Sequence, residues 1–316
     1  MKEIGGYFGL ERFNGKEYYE QAIGVNSGRN ALLYILKARQ YRKIYIPRFL
    51  CDSITRLCER EGVIYEEYSI DASFTPIIDN LILQPDESIY IVNFYGQIKN
   101  EQVLRWKKQW GNIILDNVQA FFQKPIHGVD TVYSCRKFFG VPDGGYVVTE
   151  ARFGEMLEQD VSCDRMKHVL GRFEQSASLY YNAFQTNDEG FYELPLRLMS
   201  ALTQNLLCGV DYEAVRQKRE ENYAVLASAL DSKNRMNPVV PIGPYCYPFY
   251  TENGMILKKR LAAKGIYVAT LWPNVLKYEN TLEKELAENL LPIPCDQRYT
   301  SEDMLYIIQT IEEEMN

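Results

Sequence analysis

Histidine is scarce in this chain: only His127 and His168 occur among 316 residues, and neither stands near a Gly-x-Ser-x-Gly elbow. That shortage argues against a Ser/His/Asp hydrolase and leaves both histidines with structural roles. Basic runs are missing too. Lys and Arg number 35 against 42 Asp and Glu, a net charge of −7, which argues against nucleic acid or an anionic membrane as the main partner. Any anion must then be held locally. The seven cysteines (Cys51, Cys58, Cys135, Cys163, Cys208, Cys246 and Cys295) are odd in number, scattered and without a C-x-x-C pair. Neither a disulfide framework nor a metal site is expected from them, and they read as reduced, cytoplasmic thiols. No apolar run is long enough to span a membrane, and the opening MKEIGGYFGLERFNGKEYYE has no apolar signal core, so the expectation is a soluble intracellular protein.

What is present is an ample core fraction, 46% hydrophobic residues, on a chain long enough for one large domain and a smaller one. Residues 1–20 read as an N-terminal arm lying over the body. After a short apolar run comes Asn26-Ser27-Gly28, and Ala31, Leu32, Ile35 and Leu36 follow at helical spacing. Asn26 or Ser27 is the expected cap, and the free amides of Gly28, Arg29 and Asn30 would form a ready anion site, although on this stretch alone an ordinary capped helix is the favoured reading, since caps are far commoner than phosphate sites. Strand and helix then alternate: Ile44–Ile46 ahead of Pro47, a helix over Asp52–Glu61, a strand over Val63–Tyr68, SIYIV, a helix with Trp106 and Trp110, and Ile113–Leu115. Such alternation predicts an α/β fold, with a mostly parallel sheet covered on both faces.

The stretch from Ile113 to Thr149 carries the chemistry. Asp116 follows one apolar run, Lys137 the next, and a Gly-Gly turn leads into a third. Strand ends are where α/β enzymes keep their reactive groups. An acid to protonate a pyridine nitrogen and a lysine to form a Schiff base are the two residues that a pyridoxal 5'-phosphate (PLP) site requires.

Downstream, QTNDEGFYELP reads as a loop. LRLMSALTQNLLCGVDYEAVRQKREENYAVLASAL reads as strongly helical, with Arg216, Lys218, Arg219 and Glu221 on a solvated face. The remainder reads as a small α+β domain: YCYPFY as strand, a helix over Gly254–Lys264, IYVAT as strand, a helix near Leu282–Leu290 and a last helix capped at Thr300 or Ser301. The domain division expected is 1–20 arm, 21–205 large domain, 206–235 linker helix and 236–316 small domain. Trp272 and Arg298 read as core packing and a surface ion pair more readily than as substrate contacts.

Several segments, in order along nearly the whole chain, resemble the DegT/DnrJ/EryC1/StrS family of PLP-dependent sugar aminotransferases. VNSGRNAL is similar to that family's N-S-G-T-A-A-L, IYIPRFLCDSI to V-x-x-P-x-x-T-F, NFYGQ to H-x-Y-G-Q, LDNVQA to E-D-A-A-Q-A, KFFGVPDGG to K-x-x-x-x-G-E-G-G, and LLPIPCDQRYTSEDM to S-L-P-x-H-P-x-L-T-E-E-D. The resemblance implies PLP-dependent transferase fold type I, with a mostly parallel seven-stranded sheet sandwiched by helices, and a homodimer with a shared active site. It implies an aminotransferase that moves an amino group from a donor such as glutamate to a nucleotide-linked keto-sugar in polysaccharide or amino-sugar biosynthesis.

By the same resemblance Lys137 binds the cofactor, Asp116 contacts its ring nitrogen, Gln119 its 3-oxygen, and Gly28, Arg29 and Asn30 its phosphate. The chain departs from the pattern in four places. Cys51 stands at the position of the stacking aromatic, with Phe49 nearby. Val132 replaces the phosphate-binding serine, for which Ser134, three residues before Lys137, resembles the S-x-x-K of other members of this fold. Arg29-Asn30 replaces Thr-Ala, and Pro195 aligns with an asparagine when Arg197 aligns with the arginine of G-x-N-x-R. A non-catalytic binding or regulatory protein that keeps the fold is the alternative these departures leave open. A PLP-dependent sugar dehydratase is disfavoured, since those relatives replace the lysine by histidine.

Overall fold

The computed structural model describes residues 4–315, so the first three residues of the arm read over 1–20 lie outside the described residues. From Ile23 to Val148 strands and helices alternate: β1 (Ile23–Val25), α1 (Gly28–Arg39), β2 (Lys43–Pro47), α2 (Asp52–Glu61), β3 (Ile64–Ile70), β4 (Pro76–Ile77), β5 (Glu87–Val92), α3 (Asn100–Trp110), β6 (Ile113–Asp116), β7 (Asp130–Ser134) and β8 (Gly145–Val148). They form a mixed sheet in the order β1-β8-β7-β6-β5-β2-β3-β4. Strands β2, β3, β5, β6 and β7 run parallel, while β8 and the edge strand β4 run antiparallel to their neighbours. The sheet has eight strands rather than seven because the two-residue β4 pairs with the end of β3.

From Ser88 onward in β5, and throughout β6 and β7, the central strands are buried, which is why they read as continuous apolar runs and not as alternating ones. Register at the C-terminal edge brings several of their ends together. Val92, Asp116 and Val132 lie side by side across β5, β6 and β7, and Ser134 pairs with Gly145, which in turn pairs with Val25.

Beyond the sheet come α4 (Lys167–Glu174), α5 (Tyr181–Gly190), α6 (Ala201–Cys208), α7 (Tyr212–Leu230), β9 (Tyr247–Tyr250), α8 (Gly254–Ala263), α9 (Leu282–Asn289), β10 (Leu290–Ile293) and α10 (Ser301–Met315). Four expectations are corrected by these elements. QTNDEG belongs to α5, and the loop begins only at Phe191; that helix has no side-chain cap at Tyr180, so no start signal marks it. The long helical stretch is broken at Gly209 into α6 and α7, each with its own cap, Ser200 and Asp211.

IYVAT is not a strand. Ile266 and Val268 are buried and Tyr267 exposed, but no ladder partner lies alongside; β9 pairs instead with β10. Alternating burial describes one face, whereas a strand also needs a neighbour for its amides. Arg219, expected on a solvated face, is 2% exposed. The last helix starts as expected: Thr300 Oγ1 accepts from the Asp303 amide, and the Asp303 carboxylate accepts from the Thr300 amide at 2.7 Å.

A second core of Tyr223, Leu226, Phe249, Leu291, Ile293, Met304 and Ile307 joins α7 to the antiparallel β9/β10 pair and α10. A third, largely aromatic, gathers Tyr19, Phe121, Phe122, Tyr133, Phe138, Phe139 and Tyr146 under the turn after β7.

The Gly-Gly turn is fastened from beneath. Asp143, fully buried, accepts from the Ser200 amide at 2.9 Å and the Ser200 hydroxyl at 2.7 Å, and also from the Thr203 hydroxyl. Asp143→Ala strands these buried donors, each worth roughly 1–3 kcal/mol when unsatisfied. The expected loss is about 3 kcal/mol of unfolding free energy in urea titration; a loss under about 1 kcal/mol would contradict this account of the turn.

Candidate active site

Four strand ends and one helix start meet at the C-terminal edge of the sheet. Ser27 caps α1, its hydroxyl accepting from the Asn30 amide at 3.1 Å. The amides of Gly28 and Arg29 then begin the helix with no intrahelical acceptor, and they sit at the positive end of its dipole. Two glycines let the turn approach. Gly144 has φ +114°, a conformation open to glycine, and a Cβ on Gly145 would stand 2.7 Å from the Ser27 carbonyl carbon. A Cβ on Gly28 would meet Val118 Cγ1 at 3.3 Å and Ser134 Cβ at 3.4 Å, so the helix start lies directly against the ends of β6 and β7. The hydroxyl of Ser134 makes no hydrogen bond among the described residues.

Asn30 and Arg29 use their side chains elsewhere. The Asn30 amide group donates to Asn26 Oδ1 at 2.7 Å and to the Pro195 carbonyl at 3.0 Å, and Asn26 reaches the same carbonyl at 3.1 Å. Asn30 is thus a strut between the turn and the 191–197 segment, and its backbone amide is held by the Ser27 cap, which leaves the Gly28 and Arg29 amides for a ligand. The Arg29 guanidinium lies 4.3 Å from the centroid of the Tyr192 ring. Arg197 is paired within the chain, 3.3 Å from Glu158 and 3.9 Å from Asp160.

Asp116 is buried at the end of β6. Its Oδ2 accepts from the Tyr90 hydroxyl at 2.5 Å and its Oδ1 from the Val118 amide at 2.7 Å. Burial raises its pKa above the ordinary carboxylate value, opposed by the Tyr90 hydrogen bond, the Lys137 charge and the Val118 amide. Each oxygen keeps a lone pair for a further donor. Tyr90 is opposite Ile114, two residues back from Asp116 on the same face, so the long side chain reaches diagonally across the pair of strands.

Gln119 is buried; its Oε1 accepts from the Tyr95 amide at 2.8 Å, while its Nε2 is a buried donor with no acceptor. Buried donors are seldom left so without a functional reason or a missing partner.

Lys137 is exposed, and its ammonium group lies 5.8 Å from the centroid of the Tyr245 ring. The backbone beneath it is held firmly. The amides of Phe138 and Phe139 both donate to the Cys135 carbonyl, and their rings anchor in the aromatic core. The Phe138 carbonyl accepts from Gln297 Nε2 at 2.7 Å and from Arg219 at 3.3 Å; Arg219 also donates to the Pro244 carbonyl at 2.8 Å. One carbonyl next to the lysine therefore ties together α7, the entry to β9 and the segment ahead of α10. Neither Arg219 nor Gln297 is legible in the sequence as a site residue; a charge within an amphipathic helix carries no sign that it is buried.

The remaining candidates fall outside this constellation. Cys51 begins α2, its thiol 3.6 Å from Asp52, and no hydrogen bond or ion pair links it to Asp116, Gln119 or Lys137. Phe49 packs edge-on to Trp272 at 4.6 Å and against Phe94 in the core. Trp272 is thereby a core residue, and Arg298 pairs with Asp296 at 2.6 and 2.7 Å. Val132 is buried beside Asp116, one strand over. His127 lies on the surface near Glu150, and His168 stacks edge-on to Phe184. Among the described residues no cluster of His, Cys, Asp or Glu could hold a metal ion, and no helix is long and apolar enough to cross a membrane.

No protein-family model and no curated protein matches this sequence. Solved structures do. A DegT DnrJ EryC1 StrS aminotransferase from Brucella abortus is similar over 92% of this chain and 85% of its own, with 17% identity and a TM-score of 0.61. DesV of S. venezuelae, solved in complex with a ketimine intermediate, is similar over 92% and 84%, with 19% identity and a TM-score of 0.64. DesI, solved in the presence of its TDP-sugar product, is similar over 92% and 80%, with 12% identity and a TM-score of 0.63. At these identities the likeness concerns the fold, which is that of the fold-type-I PLP-dependent transferases.

Proposed function

We propose that the protein is a PLP-dependent aminotransferase that moves an amino group from an amino acid donor, glutamate in the first instance, to a nucleotide-linked keto-sugar. The observation that carries this reading is the orphaned Nε2 of Gln119 beside a doubly held Asp116, with Lys137 on the next strand end. The donor and acceptor set matches the cofactor's own polar atoms. Asp116 suits a ring nitrogen, Gln119 Nε2 a phenolic oxygen, and the Gly28 and Arg29 amides with the Ser134 hydroxyl a phosphate. DesV and DesI, which share the fold, support the substrate class through the ketimine and the TDP-sugar found with them.

PLP, when bound, supplies an electron sink for the electrons released as a carbon–hydrogen bond next to nitrogen breaks. Asp116 keeps the proton on the ring nitrogen. Lys137 holds the cofactor at rest and, once freed by the incoming amine, takes and returns the proton at the substrate carbon. Arg219 and Gln297 keep the lysine's turn in place through the Phe138 carbonyl. The molecule works as a homodimer in the cytoplasm. Tyr7, Phe8 and Phe173, each more than 90% exposed, supply apolar surface for a second copy, and all seven cysteines are free thiols.

Protein incubated with PLP and freed of excess should absorb in the visible, and Lys137→Ala should lose that band while still folding. A wild type that stays colourless overturns the cofactor assignment. Glutamate should then bleach the wild-type band; no response to any amino acid would favour a fold-retaining binding protein.

Tyr90→Phe removes a hydrogen bond that lowers the Asp116 pKa, so that pKa rises and less of the carboxylate is ionised at a given pH. The acidic limb of the pH–rate profile should therefore move to higher pH, with activity near neutrality reduced by less than about tenfold. An unmoved limb would remove Tyr90 from the account.

A further inference from the structure

The arginine that departs from the aminotransferase pattern at position 29 leads away from the strand ends into a second place. Between one face of α2 and the segment after α5 lies a cavity of about 120 Å³, whose lining includes Arg29, Ser53, Arg56, Arg60, Tyr192 and Glu193 beside Leu57. Ser53, Arg56 and Arg60 share one face of α2 by their three- and four-residue spacing. Like charges at that spacing destabilise a helix, and here a third joins them. The guanidinium groups of Arg29 and Arg56 both lie over the Tyr192 ring, 4.3 and 3.4 Å from its centroid, and Arg60 donates to the Tyr192 carbonyl at 2.6 Å. Two positive charges over one ring are closer together than the roughly 8–10 Å over which salt screens them.

Counter-charge is short. Neither Arg29 nor Arg56 has a carboxylate within ion-pair distance among the described residues, whereas Arg60 has Glu61 at 3.0 Å. Glu193 stands exposed at the cavity and Asp52 lies at the Tyr192 hydroxyl, so the three cations outnumber the two carboxylates there besides the one already paired with Arg60. Tyr192 cannot supply the deficit. Its hydroxyl donates to Asp52 at 3.1 Å, and burial pushes its pKa up to about 12, so it stays neutral. One donor is left bare as well: Arg29 Nη1 is buried without an acceptor. A convergence of like charges, an unfilled guanidinium fork and an open cavity together call for a polyvalent anion. Planar forks match phosphoryl oxygens in pairs, and several forks suit more than one phosphoryl group.

We propose that this cavity binds a diphosphate. The assignment rests on the aminotransferase reading, in which Arg29 serves two places: its amide lies at the phosphate turn and its side chain in the cavity. The ligand is then the diphosphate of the nucleotide-linked acceptor or a free nucleoside diphosphate, which share this chemistry.

Calorimetric titration of UDP, dTDP and inorganic pyrophosphate into the PLP-saturated full-length protein tests the proposal, with Arg56→Gln, Arg60→Gln and the double variant beside the wild type. Both positions lie outside the phosphate turn, and thermal melts check that the variants fold. At least one of the three probes should bind the wild type, and each single variant should weaken it by at least about tenfold. An unchanged affinity in the double variant, or no binding of any probe to the wild type, overturns the proposal. Because binding is read as heat, failure here is separate from failure of the cofactor assignment, which shows as a missing visible band. Two further results identify the source and both support the site. A raised KM for the acceptor in Arg56→Gln with kcat unchanged assigns the acceptor's own diphosphate; weaker nucleotide binding with KM unchanged assigns a free one.

Discussion

The parallel register that sets Asp116 beside Val132 governs the geometry of the whole site. With β6 and β7 locked in that register, the acid ends one strand and the turn bearing Lys137 begins two residues past the neighbouring pair, so acid and lysine sit within electrostatic reach of each other. Parallel strands deliver all their C-terminal ends to one edge, and α1 starts at the same edge because β1 runs in the same direction as β7, with antiparallel β8 between them. A shift of one residue would turn Asp116 toward the opposite face of the sheet and leave the helix start with no acid to face.

Stability is spent at this edge rather than gained there. Asp116 is buried at a cost that shows in its raised pKa, Gln119 holds an unmatched donor, and Arg219 is a buried cation whose partners are carbonyls. Burial lowers the Arg219 pKa, as expected for a charge removed from water without a close carboxylate. Such groups are tolerated where neighbouring structure holds them. Here the aromatic core under Phe138 and Phe139 and the Asp143 fastening of the Gly-Gly turn provide that hold. The Phe138 carbonyl is the point where this rigid base meets α7 and the β9/β10 unit, which gives any movement of that unit a direct route to the lysine's turn.

Much of the fold is legible in the sequence because its signals are local. Helix α2 has the bounds its sequence predicts, Ser27 is one of the two caps expected for α1, and the apolar runs of β5, β6 and β7 announce buried parallel strands. Asp116 and Lys137 stand out by lying at the ends of such runs. Illegible are the features set by long-range contact. Tyr90 looks like one more core residue until register carries its hydroxyl to Asp116. Arg219 looks solvated until α7 is laid against the lysine's turn. Val268 and Ile266 alternate like strand residues but meet no ladder, and α5 forms without a cap. The roles of Gln119 and Ser134 come only from resemblance, since nothing in their spacing separates them from other buried polar residues.

The central claim is that Lys137 carries the cofactor against Asp116. Borohydride reduction of the PLP-treated protein, followed by proteolysis and mass spectrometry, tests it most directly. The account predicts one reduced adduct, on the peptide containing Lys137, at close to one per chain. An adduct spread over surface lysines, or none, would contradict it.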